Sequence, residues 1–239
     1  MADDHYATIV SAVEYGRTIY DNIRNAVIFF LSSNFDEVLL IGTTFLLGLP
    51  LPLLTLQILW INIVSDSFPA LAFAFETPTA RTLHDKPRSS EASSMRRPIL
   101  FSFVLAVIAF IIGLTIFLWG LSHSIEKART LVFMSSVLVE LVYAFSLRSP
   151  RRIWQDAKSF IANKYMIGAL ILSLMMQAVV FIPSLSEVFG VVPLSLFEWL
   201  VLLICTLAAF MSAEVVKWYL DKHQQALSGR GIVAAKSGI

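Results

Sequence analysis

Carboxylate, amide and hydroxyl side chains lie within apolar stretches of this sequence that are long enough to cross a bilayer. These side chains belong to Asn34, Asp36, Glu37, Asn62, Ser65, Asp66 and Glu140. A charged side chain at the bilayer centre costs about 2.5–3.5 kcal/mol on insertion scales, so such residues usually face the protein interior and mark an ion pathway. Hard cations prefer oxygen ligands of these kinds, and no His or Cys is placed to favour a soft transition metal. The sequence therefore predicts a cation site buried between membrane helices.

Helical spacing predicts which side chains of the first stretch share a face. Asn34 and Glu37 are about 60° apart around a helix, so we expect them to act together. Asp36 lies about 160° from Asn34 and is expected off that face. It would be protonated and hydrogen-bonded to another span, or it would serve a second polar path. The first interpretation is favoured because a buried, unpaired carboxylate tends to be neutral.

The second stretch combines polar ligands with a helix-breaking residue. Asn62 and Asp66 are about 40° apart around a helix, with Ser65 beside them. Pro69 has no N–H and its ring clashes with the carbonyl of Ser65, four residues earlier. We therefore predict a kink or an unwound segment near Ser65 and Asp66. Unwound backbone within a membrane persists where it lines a cavity, and its carbonyls can coordinate cations.

Structural explanations for single polar residues were weighed against ligand binding. A lone Asn, Ser or Gln in a membrane helix is more often a packing hydrogen bond, and we interpret Ser33 and Gln177 in that way. Glu140 alone is equally compatible with a structural bond between helices. Glu198 and Glu214, near the ends of the last apolar stretch, are interpreted as interfacial. Three stretches that each carry a carboxylate are harder to explain by packing, which favours a cation site.

Composition assigns the chain to the polytopic membrane proteins. Of its 239 residues, 57% are hydrophobic and 15% are charged, whereas soluble domains carry about 25% charged residues. Apolar runs near 20 residues recur, which predicts an all-α fold with six transmembrane helices. The predicted spans are approximately 26–47, 54–75, 99–121, 128–147, 165–182 and 196–219.

Two further segments flank the predicted membrane domain, which occupies residues 25–219. Residues 1–24 predict a long cytosolic stalk helix that continues into the first span, because apolar residues recur at helical spacing without an interrupting Pro. Residues 220–239 are expected to form a cytosolic tail. A net charge of +1 gives no basic footprint for nucleic acid. The single cysteine, Cys205, excludes an internal disulfide.

The distribution of basic residues predicts an orientation. Sixteen of the 18 Lys and Arg residues lie before the first predicted span, after the second, after the fourth, or from the end of the sixth onward. The other two, Lys127 and Arg129, lie between the third and fourth spans. This asymmetry follows the positive-inside rule and predicts that both termini are cytosolic. The chain is expected to be an integral, multi-pass protein, in the plasma membrane if it is prokaryotic.

Several segments together carry a family pattern. They are Ala2-Asp-Asp-His-Tyr-Ala-Thr-Ile-Val10, Ala12-Val-Glu-Tyr-Gly-Arg-Thr-Ile-Tyr-Asp-Asn-Ile23, Ser32-Ser-Asn-Phe-Asp-Glu37, Leu59-Trp-Ile-Asn-Ile-Val-Ser-Asp-Ser-Phe-Pro-Ala70, Val137-Leu-Val-Glu140 and Ala144-Phe-Ser146. At these residues the chain resembles the C-terminal membrane half, the fifth to tenth helices, of a type II P-type cation-transporting ATPase of the calcium-pump kind. The resemblance is most specific over the first 75 residues, and the last two spans match mainly in hydropathy and position.

The resemblance implies a ligand set. By it, the metal ligands are Asn34 and Glu37 on the fifth helix, Asn62, Ser65 and Asp66 on the sixth, and Glu140 on the eighth. Asp66 would bridge two ions. Ca²⁺ is favoured because sodium/potassium pumps carry Asp where this chain has Asn62. Asp36 departs from the calcium-pump pattern, which has a small residue there, so Na⁺/K⁺-type or another cation specificity stays an alternative.

The resemblance also implies what this chain lacks. The phosphorylation segment Asp-Lys-Thr-Gly-Thr, the nucleotide-binding domain and the fourth helix of the family are not in the sequence, so we expect that it does not hydrolyse ATP by itself. ATP and Mg²⁺ would act only through those cytosolic domains. The expected partners are the lipid bilayer and the remaining N-terminal part of the pump, in the same or a separate chain. A stand-alone regulatory or channel-like membrane subunit is an alternative. A secondary transporter is disfavoured because no inverted repeat is visible.

Overall fold

The chain is folded into helices throughout the part that the structure describes. The computed structural model describes residues 6–76, 91–148 and 164–236, and every regular element within these ranges is helical. The predicted all-α membrane fold is thereby confirmed. The first five residues of the predicted stalk and the last three of the tail lie outside these ranges. So do several basic residues used to predict orientation, namely Arg81, Lys86, Arg88, Arg151, Arg152 and Lys158.

The first helix, α1, runs without interruption from Tyr6 to Leu46. Its 41 residues extend roughly 60 Å at a rise of 1.5 Å per residue. This is the long N-terminal helix that the sequence predicts, continuous with the first span. It ends at a turn in which Gly48 has a φ of 67°, a conformation that side chains with a Cβ adopt at a cost.

The second span is interrupted within its apolar length. It consists of helix α2 (Thr55–Trp60), a π-helical segment (Ile61–Ser65) and helix α3 (Ser67–Ala74). Buried Gln57 holds the start of α2, since its side chain accepts from the Leu54 N–H at 3.0 Å and donates to the Phe189 carbonyl at 2.9 Å. The π-helical interruption includes Asn62 and Ser65, two of the predicted ligands.

Helices α4 (Glu91–Leu121) and α5 (Ile125–Leu147) form an antiparallel hairpin. Ser124 caps α5 by accepting a hydrogen bond from the Lys127 N–H at 3.1 Å. The two helices approach so closely that a Cβ on Gly120 would lie 2.6 Å from the Ala128 Cα. Helix α5 is the centre of the bundle, because 83% of its apolar stretch is buried, against 22–39% in the other four long apolar helices.

The fifth predicted span is bent. Helix α6 (Lys164–Val179) is followed by the short helix α7 (Pro183–Phe189) at an angle of 89°, and Gly190 ends α7 with a φ of 61°. Helix α8 then runs from Leu196 to Lys236, through most of the predicted tail. The described residues contain five helices long and apolar enough to cross a membrane, or six if α6 and α7 count as one broken span.

The outer faces of the long helices are apolar. Large hydrophobic side chains such as Phe45, Leu46, Leu118 and Ile204 are exposed, whereas Phe29, Phe117 and Phe133 are fully buried between helices. An apolar exterior around an interior that also holds carboxylates is the arrangement expected of a membrane protein with a polar site at its centre.

Candidate cation site

One face of α1 carries the buried polar residues of the first span. Ser33, Asp36, Glu37 and Leu40 are all buried, and their i, i+3, i+4, i+7 spacing places them on a single helical stripe. The prediction that Asp36 lies off the face of Glu37 is therefore wrong. Asp36 is 6% exposed, the same fraction as Glu37.

Asn34 does not join Glu37 within the described residues. Its side chain is exposed, and its amide donates to the Phe30 carbonyl of its own helix at 2.7 Å. The 60° separation from Glu37 is correct, but Asn34 lies on the far side of Glu37 from the centre of the buried stripe. The stripe is set by the packing of α1 against α3, α4 and α5. The spacing of Ser33, Asp36 and Glu37 with Leu40 was the signal that identifies it.

Two hydrogen bonds join this face of α1 to the broken second span. The Asn62 Nδ2 donates to Glu37 Oε2 at 2.9 Å, and also to the Ile58 carbonyl at 3.0 Å. The Ser33 hydroxyl donates to Asp66 Oδ2 at 2.9 Å. Ser33 was interpreted as a packing residue, but it contacts a predicted ligand directly. Each carboxylate is thus held through one of its two oxygens.

Pro69 explains the backbone of the second span. The Asp66 N–H bonds to the Ile61 carbonyl at 3.0 Å, a π-type bond that skips one residue more than an α-helical bond. The Ser65 carbonyl loses its usual partner because Pro69 has no N–H. It accepts instead from the Ser173 hydroxyl of α6 at 3.2 Å. The distortion lies at Ile61–Ser65, beside the position where the sequence predicts it.

Glu140 completes the group from the central helix. It is 3% exposed on α5 and lies within electrostatic range of Asp66, Asp36 and Glu37. Four carboxylates from three spans therefore share one buried region. Within the described residues, no three His, Cys, Asp or Glu side chains already have the geometry of a metal centre. Any cation held here would draw on mixed oxygen ligands and a rearrangement of side chains.

The unpaired oxygens are concentrated at this group. Among the described residues, eight buried side-chain N or O atoms have no hydrogen-bond partner, and six of them belong to these residues. The six atoms are Asp36 Oδ1, Glu37 Oε1, Ser65 Oγ, Asp66 Oδ1, and Glu140 Oε1 and Oε2. A buried acceptor without a partner costs roughly 1–3 kcal/mol, more if charged, and native proteins contain few. Six at one place match the oxygen ligands that a hard cation takes.

Two ion pairs outside this group, one buried and one partly exposed, were not expected. Glu214 on α8 bonds to Lys217 at 2.8 Å and accepts from the Ser146 hydroxyl at 3.1 Å. Glu198 bonds to Lys127 at 3.0 Å. Both glutamates were interpreted as interfacial, yet Glu214 is fully buried and Glu198 is 5% exposed. The i, i+3 spacing of Glu214 and Lys217 was the available signal.

Comparison with known proteins places this geometry in a family. The family described as "Cation transporting ATPase, C-terminus" matches residues 50–219. The "Calcium-transporting ATPase" of Bacillus subtilis (strain 168) is 33% identical over 208 residues, covering 85% of this chain and 23% of the relative. The "Calcium-transporting ATPase 1" of Bacillus cereus is 30% identical over 236 residues, covering 91% of this chain and 26% of the relative.

A similar relation extends to animals. The "Calcium-transporting ATPase type 2C member 1" of Pongo abelii is 31% identical over 221 residues, covering 91% of this chain and 24% of the relative. The chain thus spans about a quarter of the length of the curated relatives it matches. Because the family match covers most of the chain, including Asn62, Asp66 and Glu140, the chain belongs to the cation-transporting ATPase family and corresponds to its C-terminal membrane region.

Proposed function

We propose that this chain is the ion-binding and coupling membrane domain of an ATP-driven P-type cation pump, and that the transported ion is Ca²⁺. The observation that carries the proposal is the group of six buried oxygens without hydrogen-bond partners. Ca²⁺ takes 6–8 oxygen ligands, mostly from carboxylates, amides, hydroxyls and carbonyls. The names of the relatives, which are calcium-transporting ATPases, support the same ion.

The proposed ligands divide into charged and neutral groups. Glu37, Asp66 and Glu140 would supply carboxylate oxygens, while Asn62 and Ser65 would supply neutral ones. To bind a cation through its carbonyl oxygen, Asn62 has to turn the amide that now donates to Glu37 Oε2.

Asn34 is also a proposed ligand, but its side chain has to turn before it can bind the cation. Its amide has to leave the Phe30 carbonyl and turn toward Glu37. The Asn34 side chain is exposed among the described residues, and the remaining N-terminal part of the pump would pack against this face of α1. That part would be the partner of this chain, in one polypeptide or two, and the lipid bilayer would surround both.

The length of α1 supports a coupling role. Glu37 lies 31 residues beyond Tyr6 on one uninterrupted helix, roughly 46 Å at 1.5 Å per residue. A movement imposed near the start of such a helix displaces Glu37 relative to Asp66 and opens the contacts between them. Residues 1–24 would be the cytosolic stalk, residues 25–219 the membrane domain and residues 220–239 the tail. Both termini would be cytosolic. ATP and Mg²⁺ would act on the rest of the pump.

The proposal is tested by ATP-dependent uptake of ⁴⁵Ca²⁺ into inside-out vesicles that contain the full polypeptide carrying this chain. We expect the wild type to accumulate Ca²⁺ and both Asp66→Asn and Glu37→Gln to lose uptake and Ca²⁺-dependent phosphorylation. The matched control is Asp21→Asn on the same helix. The Asp21 carboxylate is partly exposed, and its ion pair with Arg24 is long, at 3.7 Å. It should transport normally. Uptake that persists in both site variants would remove these residues from the ion path.

A further inference from the structure

Asp36 is buried with one of its two carboxylate oxygens unpaired. Its side chain is 6% exposed, and Oδ1 makes no hydrogen bond. A buried carboxylate is stabilised by a cationic or hydrogen-bonding partner, and removal of such a partner is strongly destabilising. A buried carboxylate with an unpaired oxygen points to a ligand that the protein side chains do not provide.

Among the residues that the structure describes, no cationic side chain pairs with Asp36. The groups in electrostatic range are Glu37, Asp66 and Glu140, together with the Tyr143 hydroxyl on α5. The buried lysine on α8, Lys217, pairs with Glu214 at 2.8 Å. Asp36 therefore adds a fourth carboxyl group to a region that already holds three.

The unpaired oxygens differ between the two sides of the group. Glu37 and Asp66 each have one oxygen held by a neighbour, Asn62 and Ser33 respectively. Glu140, by contrast, has no donor to either carboxylate oxygen, although its carboxyl group lies against that of Asp66. Asp36 lies within electrostatic range of Glu140 and has a further unpaired oxygen. Carboxylate oxygens without a donor are thus present on both α1 and α5.

We propose that Asp36 is a direct ligand of a divalent cation and, with Glu140, forms the α1–α5 side of the ion site. This inference rests on the proposed function. A fourth carboxylate strengthens the attraction for a doubly charged ion more than for a singly charged one, because Coulomb energy scales with the ion's charge. Asp36 is thus a specificity determinant that favours Ca²⁺ over Na⁺.

Equilibrium binding of ⁴⁵Ca²⁺ without ATP, on the purified full polypeptide, tests the inference. Asp36→Asn keeps the shape and removes the charge, and we expect its Kd for Ca²⁺ to rise by about tenfold or more, equivalent to at least 1.4 kcal/mol. Na⁺ should also compete more effectively with Ca²⁺ in this variant. Asp21→Asn, the partly exposed control on the same helix, should leave both values unchanged. Asp36→Ala is the second variant, because it removes every side-chain oxygen that could bind a cation.

Each outcome decides a separate question. If Asp66→Asn loses binding while a folded Asp36→Asn or Asp36→Ala keeps the wild-type Kd and Na⁺ competition, Asp36 is not a ligand and the proposed site still stands. A carboxyl group that is merely protonated and structural gives this result, since Asn mimics it. If Asp66→Asn binds Ca²⁺ like the wild type, the proposed function itself fails. Weakened binding in the Asp36 variants, with Asp21→Asn unaffected, establishes the ligand.

Discussion

Two adjacent serines on α1 have different hydrogen-bond partners: one contacts a proposed ligand and the other only its own helix. The Ser33 hydroxyl donates to Asp66 Oδ2 at 2.9 Å, whereas the Ser32 hydroxyl donates to the Phe29 carbonyl of its own helix at 2.8 Å. Both side chains are buried, at 5% and 2% exposed. Only the first bond fixes a proposed ligand.

We predict that Ser33→Ala raises the Kd for Ca²⁺ about 2- to 12-fold, the equivalent of one net hydrogen bond of about 0.5–1.5 kcal/mol. The cause is loss of the group that orients the Asp66 carboxylate. Ser32→Ala should stay within about twofold of the wild type, since its hydroxyl bonds only to its own helix. Equilibrium Ca²⁺ binding measures both. Equal effects of the two substitutions would show that Ser33 does not position Asp66.

At this scale the sequence predicted residue types better than their directions. Intramembrane Glu37, Asp66 and Glu140 stood out because carboxylates are rare and costly in apolar helices. The sequence did not predict that Asp36, rather than Asn34, lies in the buried group. A helical wheel gives the angles between residues but not the side on which neighbouring helices pack. That side is set by contacts with α3, α4 and α5, which are distant in sequence.

At the scale of elements, the break in the second span depends on a contact from α6. Pro69 leaves the Ser65 carbonyl without a helical donor, and the fully buried Ser173 hydroxyl supplies one at 3.2 Å. This bond stabilises the π-helical segment, which includes Asn62 and Ser65. Such segments are frequent at functional sites.

We predict that Ser173→Ala lowers the stability of the folded protein by about 1–3 kcal/mol, the cost of an unpaired buried acceptor. Thermal unfolding of the purified protein in detergent measures the change. Ser186→Ala is the matched control, because that hydroxyl is exposed and bonds to the Pro183 carbonyl of its own short helix. An unchanged midpoint in Ser173→Ala would mean that the Ser65 carbonyl finds another donor.

The elements themselves were largely predictable. Apolar length and flanking polar residues predicted the helix ends at Leu46, Leu121 and Leu147 to within one residue, and the absence of Pro predicted the continuous α1. The bend after Val179 was missed, since hydropathy continues through Ile182 while the backbone turns by 89°. Pro183 was the local signal, because Pro is favoured in the first turn of a new helix.

At the scale of the whole molecule, a polar clamp ties three helices together at one end of the bundle. The Asn22 amide of α1 donates to the Glu76 carbonyl just beyond α3, at 3.1 Å. The Glu76 carboxylate forms an ion pair with Arg148 at the end of α5. The Arg148 side chain is 6% exposed and that of Glu76 is 18% exposed, so solvent screens this pair little. The clamp joins α1 near Asn22 to the second span, which carries Asp66, and to α5, which carries Glu140.

We predict that Arg148→Gln destabilises the protein by about 3–5 kcal/mol, the range for removing one partner of a buried ion pair, and that the exchange Glu76→Arg with Arg148→Glu recovers part of it. Arg24→Gln is the control, since the pair of Arg24 with Asp21 is 3.7 Å long and more exposed. It should change stability by less than about 1 kcal/mol. Thermal unfolding reports all three. No recovery in the double exchange would argue that the clamp is not electrostatic.

The most direct test of the account is to locate the ion in the folded protein. A structure of the full polypeptide, purified with Mn²⁺ as a substitute for Ca²⁺ and measured at the manganese absorption edge, shows anomalous density only where the cation binds. We predict density among Asp36, Glu37, Asp66 and Glu140, at about 2.1–2.6 Å from their unpaired oxygens. Ordered side chains with no density between them, or a cation bound only elsewhere, would contradict the assignment of this group as the ion site.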